Sequence, residues 1–282
     1  GTQTNATVID ALLKSYQGVV AADTGHIATH ESGAIEFGGH KVLIVPQKDG
    51  KISAQQIEKL VKDFYDDANY EHMVMPGMVY ISQPTEYGTL YSREELAALS
   101  KVCRENHLPL YVDGARLAYA LASPENDVTL TDLAELSDVF YIGGTKCGAL
   151  FGEAVVICNR MLQEDFRYLI KQKGGMLAKG RLLGIQFLEL LKDGLYFEIA
   201  EHAVKMAMIL KKGLQEAGYH FFIDSVTNQQ FVIVPDEKLE ALKEKYAYTY
   251  QQRYDETSSV IRLCTSWATK EEDVYQLLED MR

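Results

Sequence analysis

The first 175 residues alternate short apolar runs with amphipathic stretches of helical period, and this pattern most limits the possible folds. Six of the runs predict strands, and they lie at Gly18–Ala22, Lys41–Pro46, Met78–Ser82, Leu108–Val112, Val139–Ile142 and Ala154–Cys158. Because strands that alternate with helices need crossover connections, we expect these strands to pair mostly in parallel. Nearly all their residues are apolar, which is typical of strands covered on both faces. The pattern predicts an α/β fold.

Hydroxyl side chains followed three residues later by Gln or Glu predict where several helices begin. This is the spacing of a capping box, in which each side chain bonds the other residue's backbone N–H. The pairs are Ser53 with Gln56, Ser92 with Glu95, and Thr269 with Glu272. We therefore expect the last helix of the chain to begin at the third pair.

Beyond Gly175 the pattern changes to a long helical stretch followed by further strands. The helical stretch covers about 179–217, with a break expected near Gly194. Apolar runs predict strands at Tyr219–Ile223, Gln230–Val234 and Val260–Cys264, and the alternation of Tyr246, Tyr248 and Tyr250 resembles one more strand after a helical segment. We therefore expect a large domain over 1–189 and a smaller α+β domain over 190–282.

The composition indicates a globular protein and excludes several kinds of partner. Apolar residues make up 47% of the 282 residues and charged residues 24%, so the chain can bury a sizeable core. A formal net charge of −12 makes nucleic acid and anionic membranes poor partners. No apolar run approaches the ~18 residues of a membrane span. The four cysteines lack CxxC spacing, so we expect a soluble cytoplasmic protein with no metal site and no disulfide framework.

Two polar clusters follow neighbouring predicted strands, at the edge where an open α/β sheet binds ligands. Asp113 and Arg116 follow one strand, and Lys146 lies in a glycine-rich segment after the next. One crossover unit separates Asp113 from Lys146, so both are expected at the same crevice. Taken alone, Asp113 could equally cap a helix or pair with Arg116. Lys146 has small and apolar neighbours, where burial lowers the pKa of an amine and suits it to Schiff-base chemistry.

The segment Gly1–Asn5 offers glycine, hydroxyls and free N–H groups at the start of a predicted helix, which is a candidate anion site. An ordinary Thr or Asn helix cap is the alternative interpretation. The chain has no P-loop and no G-x-G-x-x-G placed between a strand and a helix, so ATP and nicotinamide cofactors are poor candidates. A phosphate site, a Schiff-base lysine and a strand-end aspartate together indicate pyridoxal 5'-phosphate (PLP).

Four motifs, in this order, resemble those of the threonine aldolase / β-eliminating lyase family of PLP-dependent enzymes. They are His26-Ile27-Ala28-Thr29-His30-Glu31-Ser32-Gly33-Ala34, Asp113-Gly114-Ala115-Arg116, Lys146 with its flanking glycines, and Arg262-Leu263-Cys264-Thr265. The resemblance covers essentially the whole chain. It implies the aspartate-aminotransferase-type fold (fold type I), with a mostly parallel seven-stranded-type sheet covered by helices. It also implies a homodimer or homotetramer with active sites at the subunit interface.

The resemblance implies five cofactor-binding residues. Gly1 and Thr2 match the family's Gly-Thr loop, which holds the cofactor phosphate. His26 matches the histidine that stacks on the pyridine ring and assists proton transfer. Asp113 matches the aspartate that keeps the pyridine nitrogen protonated, and Lys146 matches the Schiff-base lysine. His26 and Lys146 are accordingly the expected catalytic residues.

The same resemblance implies how a substrate binds and reacts. Arg116 and Arg262 match arginines that grip the carboxylate of an amino acid, a task for which a bidentate guanidinium is better suited than an amine. The implied activity is retro-aldol cleavage of threonine or allo-threonine to glycine and an aldehyde, in which the amino acid displaces Lys146 to form an external aldimine. The alternatives are a β-eliminating lyase or amino-acid racemase on the same scaffold and, less favoured, a non-catalytic oligomeric scaffold.

The sequence departs from the family pattern in two places. Many members carry a Thr-His pair before a Gly-Gly turn, whereas here Gln83 occupies the register of the histidine and cannot act as a base. Glu86, or a water held by His26, is the expected substitute. Family chains also have roughly sixty more residues before the Gly-Thr loop, and the sequence printed here starts at Gly1, so we expect either an incomplete sequence or a truncated relative.

Overall fold

The computed structural model describes residues 1–282 and contains a six-stranded and a four-stranded sheet. The strands of the large sheet are β1 Gln17–Ala22, β2 Val42–Val45, β3 Met75–Ser82, β4 Leu110–Asp113, β5 Val139–Gly143 and β6 Glu153–Ile157. Those of the small sheet are β7 His220–Phe221, β8 Gln229–Pro235, β9 Thr249–Arg253 and β10 Ser258–Cys264.

The large sheet has the strand order β2-β1-β3-β4-β5-β6. Strands β1 to β5 pair in parallel, and β6 pairs antiparallel with β5. The predicted α/β fold with a mostly parallel sheet is confirmed, and each of the six apolar runs forms a strand. The large sheet has six strands rather than the expected seven. The sequence contains six apolar runs in this part of the chain, and each of them forms one strand.

Twelve α-helices accompany the sheets. They are α1 Thr2–Leu12, α2 His26–Thr29, α3 Ala34–Phe37, α4 Ala54–Asp66, α5 Arg93–Glu105, α6 Leu117–Leu121, α7 Leu130–Leu136, α8 Phe166–Gln172, α9 Arg181–Leu191, α10 Leu195–Glu216, α11 Asp236–Lys245 and α12 Glu271–Asp280. Single 3₁₀ turns cover Tyr70–His72, Arg160–Leu162 and Lys192–Gly194. None of these helices combines the length and apolar composition needed to cross a bilayer.

Most of the predicted helix starts are correct, and one is wrong. Capping boxes at Ser53 and Ser92 open α4 and α5 as expected. The last helix instead begins at Glu271, with Lys270 as its N-cap and no side-chain cap. Thr269 does not cap it because its hydroxyl accepts the backbone N–H of Ser266 at 2.9 Å and closes the preceding turn.

Helices cover both faces of the large sheet, and the alternation along its strands explains why. In β1, Val19 packs into the core on the side of α1, whereas Val20 packs into the opposite core with α4 and α5. Both side chains are fully buried. Each strand therefore needs apolar residues at every position, which is the continuous pattern seen in the sequence.

Helix α10 links the large sheet to the small one. Its first half, including Tyr196 and Ala200, packs into the core of the large sheet, while Met206 and Leu210 pack into the core below the small sheet. The predicted break near Gly194 is present as the 3₁₀ turn before α10. The boundary at residue 190 stays a prediction. The predicted strand at 219–223 shortens to the two residues of β7, and the tyrosine alternation yields β9 only from Thr249 onward.

Glycines let the ends of β4 and β5 approach closely. A Cβ on Gly114 would lie 1.8 Å from the carbonyl oxygen of Tyr141, and one on Gly143 would lie 2.5 Å from the carbonyl oxygens of Gly114 and Ala115. No side chain fits at either position. The close contact brings the segment after Asp113 next to the turn that carries Lys146.

Candidate active site

A cleft opens at the carboxyl ends of β1, β3, β4 and β5, where the fold class binds its ligands. Its polar lining comes from the loops that follow these strands. The lining residues with polar or ionisable side chains are His26, Ser82, Thr85, Glu86, Asp113, Arg116, Tyr141 and Lys146, and Gly1 lies beside them. The structure thus brings together five of the seven site residues proposed from the sequence.

Asp113 ends β4 and presents a buried carboxylate to the cleft. Its oxygens accept hydrogen bonds from the hydroxyls of Tyr80 (2.6 Å) and Tyr141, from the backbone N–H of Ala115 (2.9 Å) and from the Asn5 amide (3.0 Å). Burial raises the pKa of Asp113, but the four hydrogen bonds outweigh it and hold the pKa below its ordinary value. The carboxylate is therefore a fixed negative charge at neutral pH.

Three buried tyrosines surround this carboxylate, and sequence reasoning missed them. Tyr80, Tyr111 and Tyr141 each lie two residues before the end of a strand, and Tyr80 is the register partner of Tyr111. The hydroxyls of Tyr80 and Tyr141 reach Asp113, and that of Tyr111 donates to Asn5 Oδ1 at 2.7 Å. A buried hydroxyl needs a partner, so a repeated tyrosine inside apolar strands was the available signal for a buried polar group.

Lys146 lies in the glycine-rich turn after β5. Glu153 of β6 holds this turn, because its carboxylate accepts the backbone N–H of Gly144 at 2.7 Å and the hydroxyl of Thr145 at 3.3 Å. The Lys146 amine has no ion pair or hydrogen-bond partner within the protein and remains reachable from the cleft. The surrounding protein displaces water from the amine and Arg116 repels its charge, and both effects lower the pKa of Lys146, as the sequence predicted.

His26 begins the short helix α2 and is linked to Asp113 through two further side chains. Its Nδ1 atom lies 2.8 Å from Oε1 of Glu31, and Asn5 Nδ2 donates to the same oxygen at 2.7 Å. Asn5 Nδ2 also reaches Asp113. Glu31 belongs to the sequence motif that begins at His26, and Asn5 ends the segment Gly1–Asn5. The sequence did not predict that these two side chains link His26 to Asp113. Asn5 therefore joins the two carboxylates of the site.

Two arginines lie near the Lys146 amine, and neither forms an ion pair. Arg116 lines the cleft, and its pKa is lowered because burial, together with repulsion from Arg262, outweighs the opposite effect of Cys264. Arg262 donates to the Gln229 amide oxygen at 3.2 Å and lies at the edge of the site rather than in the lining. Two guanidinium groups without a carboxylate partner have the chemistry that suits an anionic ligand.

The first two residues differ in their relation to the cleft. Gly1 is the N-cap of α1 and lines the cleft beside Tyr141, since a Cβ built on Gly1 would lie 3.5 Å from the Tyr141 hydroxyl. Thr2 is exposed, lies outside the lining and makes no side-chain hydrogen bond. Both residues nevertheless lie at the N-terminal end of α1, where free N–H groups favour an anion.

Gln83, at the register of the family's histidine, points away from the cleft. Its amide donates to the backbone carbonyl of Tyr91 at 3.1 Å and accepts the Tyr91 N–H at 2.9 Å, and the residue is buried. Gln83 thus fastens the loop after β3. Glu86, three residues later, lines the cleft instead.

Comparison with known proteins agrees with this arrangement. The family model described as "Beta-eliminating lyase" matches residues 1–237. A low specificity L-threonine aldolase of Pseudomonas sp. (strain NCIMB 10558) is 35% identical over 288 residues, covering 100% of this chain and 80% of the relative. A second such aldolase, from Pseudomonas aeruginosa, is 33% identical with the same coverage. The chain therefore belongs to the threonine aldolase / β-eliminating lyase family.

Solved structures extend the comparison to three dimensions. The threonine aldolase of Leishmania major superposes with a TM-score of 0.96 at 46% identity, covering 100% of this chain and 81% of that one. A double mutant of Thermus thermophilus aspartate aminotransferase superposes with a TM-score of 0.70 at 17% identity, covering 99% and 72%. The second likeness shows the fold alone. The aspartate-aminotransferase-type fold is confirmed, and family membership makes the protein a lyase.

Proposed function

We propose that the protein is a PLP-dependent aldolase that cleaves threonine or allo-threonine to glycine and an aldehyde. The observation that carries this proposal is the convergence of Asp113, Lys146 and Arg116 on one cleft. The names of the full-length Pseudomonas and Leishmania relatives support the substrate class. The buried, ionised carboxylate and the amine of lowered pKa support the cofactor.

The donor set of the cleft fits PLP. Asp113 would pair with the protonated pyridine nitrogen, His26 would lie against the ring, and Lys146 would bond the cofactor's aldehyde carbon. Gly1 and Thr2, at the N-terminal end of α1, would hold the phosphate. When bound, PLP supplies an electron sink for the electron pair left on Cα after bond cleavage.

The residues of the chain then orient the amino acid. Arg116 and Arg262 hold its carboxylate, because both guanidinium groups lie near the lysine and lack carboxylate partners. Holding the carboxylate would fix how the bonds at Cα are oriented toward the cofactor, and that orientation would decide which of them is cleaved. Small changes in this orientation distinguish an aldolase from a β-eliminating lyase or a racemase on the same scaffold.

Absorption spectroscopy tests the cofactor and the lysine together. We expect the purified protein, incubated with PLP, to show a visible band that Lys146→Ala lacks and that shifts when glycine is added. A wild-type protein that stays colourless would overturn the enzyme proposal and favour the non-catalytic scaffold.

Product analysis separates the possible reactions. With threonine or allo-threonine as substrate, we expect an aldehyde and glycine in equal amounts. Ammonia together with a keto acid would instead identify a β-eliminating lyase, and inversion at Cα without cleavage would identify a racemase.

We also propose that the active unit is a homodimer or homotetramer with its sites at the subunit interface. The support is an apolar surface next to the Lys146 turn, which we call the Leu188 face. It is formed by the exposed side chains of Leu150, Phe151, Leu182, Ile185 and Leu188. Gln186 ties the two segments of this face together, since its side chain bonds the backbone of both Leu150 and Phe151. The cytoplasmic location and the absence of nucleic-acid or membrane partners stay predictions from the sequence.

A further inference from the structure

The proposed cleavage needs a base for the proton of the substrate's β-hydroxyl, and few groups of the cleft are free to serve. Asp113 already accepts four hydrogen bonds, and the Tyr141 hydroxyl donates to it. The proposed function reserves Lys146 for the bond to the cofactor, which it yields to the amino acid and must re-form when glycine leaves, and an arginine does not give up its proton. The Ser82 and Thr85 hydroxyls are too weakly basic to take a proton, so two lining residues remain as candidate bases, His26 and Glu86.

His26 is held for a different task. A carboxylate only accepts hydrogen bonds, so the 2.8 Å contact with Glu31 keeps the proton of the neutral ring on Nδ1 and leaves Nε2 as an acceptor. The same contact fixes the plane of the ring, and the proposed function places that plane against the cofactor. This leaves Glu86 as the carboxylate of the cleft without an assigned role.

Glu86 is held by one oxygen and free at the other. Its Oε1 atom accepts the Ser82 hydroxyl at 2.6 Å and the backbone N–H of His26 at 2.9 Å. Its Oε2 atom accepts no hydrogen bond from another residue and is not fully buried, so it can be reached from the cleft. No ion pair neutralises the carboxylate, although Arg116 lies across the cleft. The side chain is therefore oriented and available at one acceptor.

We propose that Glu86 is the catalytic base that takes the β-hydroxyl proton, through Oε2, in place of the histidine missing at Gln83. The inference rests on the proposed aldolase function. The step balances without a further reactant. Oε2 takes the hydroxyl proton, the O–H electron pair forms the carbonyl of the aldehyde, and the Cα–Cβ bond breaks with its electron pair left on Cα. One proton then returns to Cα and yields glycine.

The surroundings of Glu86 make it a stronger base than an exposed carboxylate. Burial raises its pKa, the Ser82 hydrogen bond lowers it, the negative charge of Asp113 raises it, and the backbone N–H groups of Glu86 itself and of His26 lower it, with a net rise. Tyr80 and Arg116 also face it, one neutral and one cationic. Since the base must be ionised, kcat/KM for threonine is expected to fall as the pH drops through the pKa of Glu86.

Two variants test the role. Glu86→Gln keeps the shape and removes the base, so we expect cleavage of threonine to fall by about 10²- to 10⁴-fold. Glycine has no β-hydroxyl, so its dissociation constant, read from the absorption shift of the PLP-loaded protein, should change less than about threefold. Ser82→Ala removes a hydrogen bond that lowers the pKa, so the acidic limb of its pH profile should move to higher pH.

The outcomes distinguish this inference from the function on which it rests. Glu94→Gln, at an exposed carboxylate of α5, is the matched control and should behave as wild type. Glu86→Gln cleaving threonine within threefold of wild type, or Ser82→Ala leaving the acidic limb in place, would overturn the role of Glu86 alone. A wild type that binds glycine but cleaves no β-hydroxy amino acid would overturn the aldolase proposal and the base with it. Loss of glycine binding in Glu86→Gln would reassign Glu86 to ligand binding.

Discussion

The Nδ1 atom of His26 lies 2.8 Å from Oε1 of Glu31, and the Glu31 carboxylate is buried. The contact holds the histidine ring in one orientation and leaves its Nε2 atom unprotonated in the neutral form. Asn5 donates to the same Glu31 oxygen and to Asp113. The ring of His26 and the carboxylate of Asp113 are thus positioned by one continuous hydrogen-bonded network.

Replacing Glu31 tests the first link of this network. A hydrogen bond to a charged group contributes about 2 kcal/mol, so Glu31→Gln is expected to lower kcat/KM for threonine about 30-fold. The visible band of the PLP-loaded protein should persist, because Asp113 and Lys146 are untouched. Glu36→Gln alters an exposed carboxylate five residues away and serves as the control. Unchanged kinetics in Glu31→Gln would remove Glu31 from the positioning of His26.

Replacing Asn5 tests the centre of the network. Asn5→Leu keeps the size of the side chain but removes the donor to Glu31 and Asp113 and the acceptor for the Tyr111 hydroxyl. Leaving buried polar groups unpaired costs about 1–3 kcal/mol, and we expect the free energy of unfolding in urea to fall by an amount in that range. Thr4→Val, at a partly exposed neighbour without a side-chain hydrogen bond, should leave the unfolding midpoint unchanged. Equal midpoints for both variants would contradict a stabilising role of Asn5.

The α/β fold and the strand-end positions of Asp113 and Lys146 could be predicted from the sequence. The hydrophobic periodicity that marks each strand and helix is a property of short stretches of chain, and so is the position of a polar residue just after a strand. The partners of these residues were harder to predict. Asn5 reaches Asp113 across 108 positions of sequence, and Glu153 reaches the Lys146 turn only because β6 pairs antiparallel with β5. Contacts of this kind depend on how the helices and strands pack, and no local pattern encodes them.

The lowered pKa of Lys146 predicts an unusual reactivity of the cofactor-free protein. Only the neutral amine acylates, and loss of hydration together with repulsion from Arg116 increases the neutral fraction of Lys146 below the ordinary lysine pKa. As the pH is raised, an amine-acylating reagent should therefore modify Lys146 at a lower pH than Lys101, whose side chain is 76% exposed. Peptide mass spectrometry after timed labelling measures both. Arg116→Gln should move the Lys146 profile back toward higher pH, and a profile matching Lys101 in the wild type would refute the prediction.

Arg262 offers a test of substrate binding. A lysine in its place keeps the charge but loses the fork that holds a carboxylate through two hydrogen bonds. We expect Arg262→Lys to raise KM for threonine about tenfold or more, corresponding to about 1.4 kcal/mol, with a smaller effect on kcat. Arg253→Lys, on the neighbouring strand β9 and paired with Asp236, is the control for changes in the small sheet. A KM equal to that of wild type would place the substrate carboxylate away from Arg262.

The Leu188 face connects assembly to activity. Leu188 is 62% exposed on α9, and α9 holds the segment that follows the Lys146 turn through Gln186. A charge in the middle of an apolar interface is costly to bury, so Leu188→Lys should reduce the mass measured by size-exclusion chromatography with light scattering. Specific activity should fall with it and recover partly at high protein concentration, because dissociation is governed by mass action. Tyr254→Lys changes a side chain that is 54% exposed, in the turn between β9 and β10, and should affect neither measurement. A Leu188→Lys protein of unchanged mass would show that the subunits meet elsewhere.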